Sequence, residues 1–246
     1  PETIKKLLIY LKKLYLKNIK NVDYEIILND LKLDTIDKIR ERNKLISSVI
    51  NDYKSISYVN GVKIDSFEKI MEKLNFRINK FTHKNKNLFY NICHGDLNLS
   101  NIFNVDNNFI FIDPRGKFGD SDVYGLKYYE LSKIYFSLFG FDAFNSDSHY
   151  YFNITANNIN SNISNLIDKI YIFKNVFTLD EYEFIITFAF SIWLRLPYDL
   201  KNNISRAIGA YFHSLYLGTI YLDSIDNLIK QKYIKEHLND TIIIHK

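Results

Sequence analysis

The sequence predicts a mostly helical fold around a small β-hairpin core, a mixed α+β class. Two observations carry this. Apolar residues recur at helical spacing through most of the chain, starting with Ile4, Leu7, Leu8, Leu11, Leu14 and Tyr15. Short β-prone runs take over only in the middle. Ile102 to Val105 and Phe109 to Ile112 flank the polar turn Asp106-Asn107-Asn108, which is the pattern of a β-hairpin.

The elements follow in order. Residues 2 to 17 form an amphipathic helix, with Pro1 suited to its first turn and Lys5, Lys6, Lys12 and Lys13 on the outer face. Val22 to Leu28 fits a short helix or a strand. Asp34 or Thr35 caps a second helix that runs to about Asn51, with Ile36, Ile39, Ile46 and Ile50 turned inward. Asn60-Gly61 marks a turn. Asp65, with Glu68 three residues later, opens a third helix with Ile70, Met71, Leu74 and Ile78 on its apolar face.

Leu88 to Cys93 reads as a buried strand that ends at His94-Gly95-Asp96. A helix runs from Tyr129 to Phe139, and residues 145 to 165 read as a polar, Asn-rich surface loop. Asp180 caps a helix over Glu181 to Leu194 whose all-round hydrophobicity implies burial, and Pro197 breaks it. Ile204 to Tyr221 is another helix, with Ala207, Gly209, Ala210 and Gly218 permitting close packing. A last amphipathic helix covers 223 to 238, and Thr241 to Ile244 is an edge strand or a disordered tail.

Composition narrows the function classes. The single cysteine, Cys93, rules out a disulfide framework and suits a reducing, cytoplasmic setting. The net charge of +4 is spread along helical faces, which argues against nucleic acid as a partner. The longest near-apolar run, Phe184 to Leu194, has 11 residues and is too short to span a bilayer.

The chemistry-bearing stretch is 88 to 125. The hairpin brings Asp96, Asn101 and Asp113 to neighbouring strand ends. Phosphoryl transfer to a hydroxyl needs a carboxylate to orient the hydroxyl and take its proton. It also needs a few oxygen ligands for Mg²⁺, the phosphates and water supplying the rest. One base and two ligands are what this trio offers. Two rival readings use the same residues. In one, the hairpin's polar residues only cap turns. In the other, His94 and Asp96 ligate the metal of a hydrolase, but His83, His149, His213, His237 and His245 show no matching spacing.

His94-Gly95-Asp96-Leu97, then Asn101, then Ile112-Asp113 resembles the signature of the aminoglycoside phosphotransferase and choline kinase group, small-molecule kinases of protein-kinase-like fold. Ser100-Asn101-Ile102 and Asp113-Pro114-Arg115-Gly116 look closer to a branch seen among bacterial surface-polysaccharide proteins. The close match runs from Tyr90 to about Phe144. It implies Asp96 as catalytic base, Asn101 and Asp113 as Mg²⁺ ligands, and His94 with Gly95 as loop-structuring residues. The donor would be ATP or GTP. The acceptor would be a sugar, polyol or amino alcohol, in surface-glycan or capsule precursor synthesis.

Arg115, Ser100 and Asp120 are candidates for phosphate or substrate contact, the plainer role for Arg115 being a salt bridge that holds the loop. Where relatives often carry two Asp residues, this chain has Leu126 and Glu130, a departure that leaves the trio intact but touches the substrate-side loops.

The resemblance also implies a domain plan: the C-terminal lobe of a kinase-like fold, with a helical lead-in over 1–87, catalytic and metal loops over 88–125, and substrate-side helices over 126–246. Gly61 is the only glycine before residue 88, so no phosphate-covering loop precedes the site. The expectation is that the nucleotide lobe is missing from this chain, which alone would be inactive and bind nucleotide poorly. The alternative is a pseudokinase or accessory binding domain fused to another enzyme, such as a sugar nucleotidyltransferase.

Overall fold

The computed structural model describes residues 2–86, 88–106, 108–145, 151–162 and 176–223. The tail and almost all of the helix expected over 223 to 238 lie outside them.

Helix α1 (Glu2–Lys17) buries Leu7, Leu8, Leu11 and Tyr15, the stripe its spacing foretold. After β1 (Ile19–Lys20), the ambiguous segment resolves as α2 (Tyr24–Lys32), capped by the Asp23 carboxylate on the Glu25 N–H. A π-helical turn (Leu33–Asp37) carries the chain without a break into α3 (Lys38–Asn51). Asp34 and Thr35 therefore do not cap. Both are buried: the Thr35 hydroxyl donates to Leu31 O, and the Asp34 carboxylate takes Lys38 at 2.5 Å and Arg195 at 3.5 Å. One ion pair within the same helix, to Lys38, and one from the later helix that carries Arg195, take the carboxylate in place of a cap.

Strands β2 (Tyr58–Val59) and β3 (Val62–Lys63) form a tight hairpin with positive φ at Asn60 and Gly61, as a primed turn requires. Helix α4 (Phe67–Lys84) is capped by Ser66, while Asp65 instead pairs with Lys69 and Lys73. The middle of the chain supplies β4 (Tyr90–Ile92), β5 (Ile102–Val105), β6 (Asn108–Phe111), β7 (Lys117–Phe118), β8 (Ser121–Asp122) and β9 (Tyr124–Gly125). β5 and β6 are the expected hairpin, with Ile102 opposite Phe111 and Val105 opposite Asn108. Helix α5 (Lys127–Phe136) ends in a second π turn (Ser137–Phe141), followed by the short α6 (Asp142–Asn145).

The polar segment after it is not simply a loop. β10 (Phe152–Thr155) and β11 (Asn158–Ser161) form a hairpin, and β11 lies parallel to β2 to complete a four-stranded sheet. Helix α7 (Leu179–Asp199) starts earlier and ends later than its apolar run. Thr178 and Glu181 form a capping box in place of Asp180, and Pro197 sits inside the last turn. A proline there removes one backbone bond, and the buried Arg195 and Leu196 keep that turn packed. Helix α8 (Ile204–Tyr221) has the expected bounds.

The core is organised on α7, which is buried at Tyr182 and from Phe184 through Pro197 and packs on α3, α4, α5 and α8. Trp193 is enclosed by Phe136, Phe144 and His213, so it belongs to the core. At Gly218 a Cβ would lie 2.8 Å from Ile70, so the small residue is what lets α8 close on α4. The fold is mixed α+β. Among the described residues no helix is long and apolar enough to cross a membrane.

A small antiparallel sheet, β1-β4-β9, carries the chain into the candidate site. Asn91, in its middle strand, is buried and donates to Tyr15 O at 2.6 Å, tying α1 to that strand.

Candidate active site

β4 delivers His94-Gly95-Asp96 into a tight bend. Gly95 has φ +81, and a Cβ there would meet the backbone of Gly116 and Lys117 at 3.0–3.1 Å. Glycine is the residue that allows both the left-handed geometry and this approach. Glu130, fully buried on α5, holds the bend from beneath. Its carboxylate accepts from His94 N (3.0 Å), Gly95 N (3.0 Å) and the Cys93 thiol (3.3 Å). Burial raises the Glu130 pKa, partly offset by these donors. The same burial, with Glu130 alongside, pushes the Cys93 thiol far up, so Cys93 is an inert core group. Leu126, the other departure from the motif, leaves α5 without a side-chain cap.

His94 links the bend to the hairpin. Its Nδ1 accepts from Asp96 N (3.3 Å), which puts the proton on Nε2, facing Ile112 O at 2.9 Å. Its own carbonyl accepts from Arg115 N and Gly116 N. One side chain and one carbonyl thus fix the loops on both sides of Asp113.

Asn101 closes a 3₁₀ turn (Leu99–Asn101). Its Nδ2 donates to Asp96 O at 2.8 Å and its carbonyl accepts from Ile112 N at 3.0 Å. With Nδ2 bonded to the backbone, Oδ1 remains as an acceptor. Asp113 lies just past β6 with φ +55, exposed, and with no ion pair among the described residues. A side-chain amide oxygen and an unpaired carboxylate suit a hard divalent cation that keeps waters or phosphate oxygens as its other ligands. A hydrolase-type cluster finds no counterpart: among the described residues no group of three His, Cys, Asp or Glu could hold a metal. His213 is in the core, where burial lowers its pKa to about 3, and His149, His237 and His245 lie outside the described residues.

The Asp96 carboxylate lines a cavity of about 520 Å³ between α3, α5, α7 and the loop after Asp113. Oδ1 takes Lys133 Nζ (2.9 Å) and Asn98 Nδ2 (3.0 Å), and Oδ2 takes Arg115 at 3.1 Å. Burial alone would raise this carboxyl, but Lys133, Arg115 and Arg195 outweigh it and hold it below its usual range. Lys133 is itself pulled down to about 8, first by burial and then by Arg195, with Asp96 opposing. Arg195 is buried on α7 between the Tyr129 hydroxyl and Asp34.

The sequence-derived set is therefore only partly gathered. Asp96, Gly95 and Arg115 line the cavity. Asn101, Asp113, Ser100 and Asp120 do not. Asn101 is bonded to the Asp96 carbonyl and Asp113 follows Ile112, whose carbonyl His94 holds, and neither joins Asp96 in lining the cavity. Ser100 is exposed, and Asp120 uses its backbone N–H to reach Asp30 Oδ1 at 2.8 Å. Arg115 makes the salt bridge weighed for it, and makes it to Asp96 itself.

Sequence reasoning missed Lys133, Arg195, Asp34, Lys38 and Arg42, which also line the cavity. The signal for Arg195 was present: a lone cation in an otherwise apolar helix is seldom buried without a partner. Both π turns also border the cavity, through Asp34 and Phe141, and such turns are frequent at functional sites.

No family model, curated protein or solved structure matches this chain.

Proposed function

We propose that the chain carries the catalytic and acceptor side of a phosphotransferase that moves the γ-phosphoryl group of ATP or GTP to a small hydroxyl compound. The observation that supports this best is the division of labour around one loop. Asp96 is desolvated yet held ionised at a cavity, while Asn101 Oδ1 and Asp113 remain available on the hairpin side.

Asp96 would accept the hydrogen bond of the acceptor hydroxyl and take its proton as the new phosphate ester bond forms. Its low pKa makes it a weak base, which fits a reaction in which orientation matters more than early proton removal. Lys133 and Asn98 fix Oδ1, so Oδ2 is the oxygen that would face the hydroxyl, with the exposed Arg115 moving aside. Asn101 and Asp113 would hold Mg²⁺, which when bound neutralises charge on the phosphates. His94 and Glu130 keep the two halves in register. In this reading the chain corresponds to the C-terminal lobe of a kinase-like fold.

Asp96→Asn keeps the shape and loses the base. In the complete protein it should lower phosphoryl transfer by about 10² to 10⁴-fold, measured below a melting point that itself falls because buried Lys133 loses its counter-charge. Near wild-type transfer would remove Asp96 from the mechanism. A second reading, a binding module that keeps this arrangement without catalysis, draws on the Arg115 contact: both Asp96 oxygens already have partners. Absence of transfer in the wild-type protein, with ligand binding retained, favours that reading.

A further inference from the structure

The cavity's charge narrows the acceptor. Six cationic side chains line it, Lys38, Arg42, Arg115, Lys117, Lys133 and Arg195, against three carboxylates, Asp34, Asp96 and Asp199. The pairing leaves the surplus unanswered. Asp96 is shared by Lys133 and Arg115, and Asp34 by Lys38 and Arg195. Asp199 serves Arg42 alone at 2.6 Å. Lys117 has no ion-pair partner among the described residues. Lys133 and Arg195 are at least nine-tenths buried, where an uncompensated charge is expensive to keep.

The arrangement is built from separate elements. Lys38 and Arg42 stand one turn apart on α3 and face the same opening as Arg195 on α7. Phe136, Phe141, Ile192, Leu196 and Leu200 give the cavity an apolar side for a carbon skeleton. A cationic amine would meet repulsion here, so the amino-alcohol class fits poorly.

We infer that the compound this cavity receives is an anionic polyol or sugar, carrying a phosphate ester or carboxylate that Lys38, Arg42 and Arg195 bind while a hydroxyl reaches Asp96. The hydroxyl part rests on the phosphotransferase reading; the anion site does not. Guanidinium forks and ammonium groups around a partly desolvated cavity are the chemistry that recognises anionic oxygen.

The test is titration calorimetry on the complete protein at low salt with four probes of similar size: glycerol 3-phosphate, glycerate, glycerol and choline. One or both anions should bind, the stronger naming the anionic group, and binding should weaken as NaCl is raised. The double variant Lys38→Gln/Arg42→Gln should weaken it about tenfold or more. Asp34 keeps Arg195 in that variant, and its melting temperature reports whether it folds. Lys117→Gln, on an exposed side chain, gives a second reading with a smaller loss. Choline or glycerol binding as tightly as the anions overturns the inference, as does anion binding indifferent to salt and to these variants, or no heat from either anion. Binding of an anion without phosphoryl transfer from Mg-ATP sinks the phosphotransferase reading and leaves the anion site standing. Transfer to choline or glycerol in preference to the anions does the reverse.

Discussion

Glu130→Gln tests how the His94-Gly95-Asp96 bend is held. Glu130 Oε2 accepts from His94 N and Oε1 from Gly95 N and the Cys93 thiol. A glutamine has one oxygen, so an NH₂ group replaces an acceptor and faces a backbone donor about 3.0 Å away. The charged hydrogen bond lost is worth about 1.5–3 kcal/mol and the orphaned N–H about 1–3 kcal/mol. Against this, the variant no longer buries a carboxylate whose pKa burial raises. The net loss should be about 2 kcal/mol, or roughly 4–8 °C in melting temperature for a chain of this size. The more specific assay is amide hydrogen exchange. His94 and Gly95 should exchange about 30-fold faster if the bend opens locally by that energy, while α8 amides change only with global stability. Unchanged protection at both residues and an unchanged melting temperature would refute the anchoring role.

Two further outcomes follow from the same geometry. Gly119 has φ +60, and a Cβ there would lie 2.4 Å from Asp30 Cα, so Gly119→Ala should destabilise by about 1–3 kcal/mol in a urea melt, whereas wild-type stability would void the close approach. Lys133, pulled down to about 8, keeps its charge below that pH and loses it above. Phosphoryl transfer by the complete protein should fall as pH rises through about 8, and Lys133→Met should flatten that limb; a profile level to pH 10 would contradict it. The stability sign runs opposite: between pH 8 and the ordinary lysine range the unfolded chain binds more protons, so this group's cost to folding diminishes as pH rises.

The hairpin was legible because its signals are local: two β-prone runs and a polar turn, whose register then fixes Asn101 opposite Ile112. α1 was legible for the same reason, its stripe matching its buried face, and α8 was legible in its bounds. The ends of α7 were not, since the capping box at Thr178 and the tolerance of Pro197 depend on what packs around them. Asp34 looked like a cap because Asp favours that role. Its partner Arg195 is far along the chain, and nothing local reveals the pair. β10 and β11 were hidden by Asn-rich composition, and their pairing with β2 is wholly tertiary. The cationic cavity was hidden more deeply. Nothing local in the sequence marks Lys38 and Arg42 as sharing an opening with Arg195, which lies far along the chain on α7. The Asp96-Asn101-Asp113 spacing says nothing of the partners of the Asp96 carboxylate, Lys133, Asn98 and Arg115, of which Lys133 comes from α5.

The central claim is that Asn101 and Asp113 hold the divalent cation of a nucleotide whose phosphate meets Asp96. Mn²⁺ can take the place of Mg²⁺, and its unpaired electrons broaden nearby NMR signals. In an ¹⁵N-labelled complete protein with ATP, Mn²⁺ should erase the amide signals around Asn101 and Asp113 first, and Asp113→Asn should restore them. Signals near Asn101 and Asp113 that persist while others vanish, or that vanish equally in Asp113→Asn, would contradict the account.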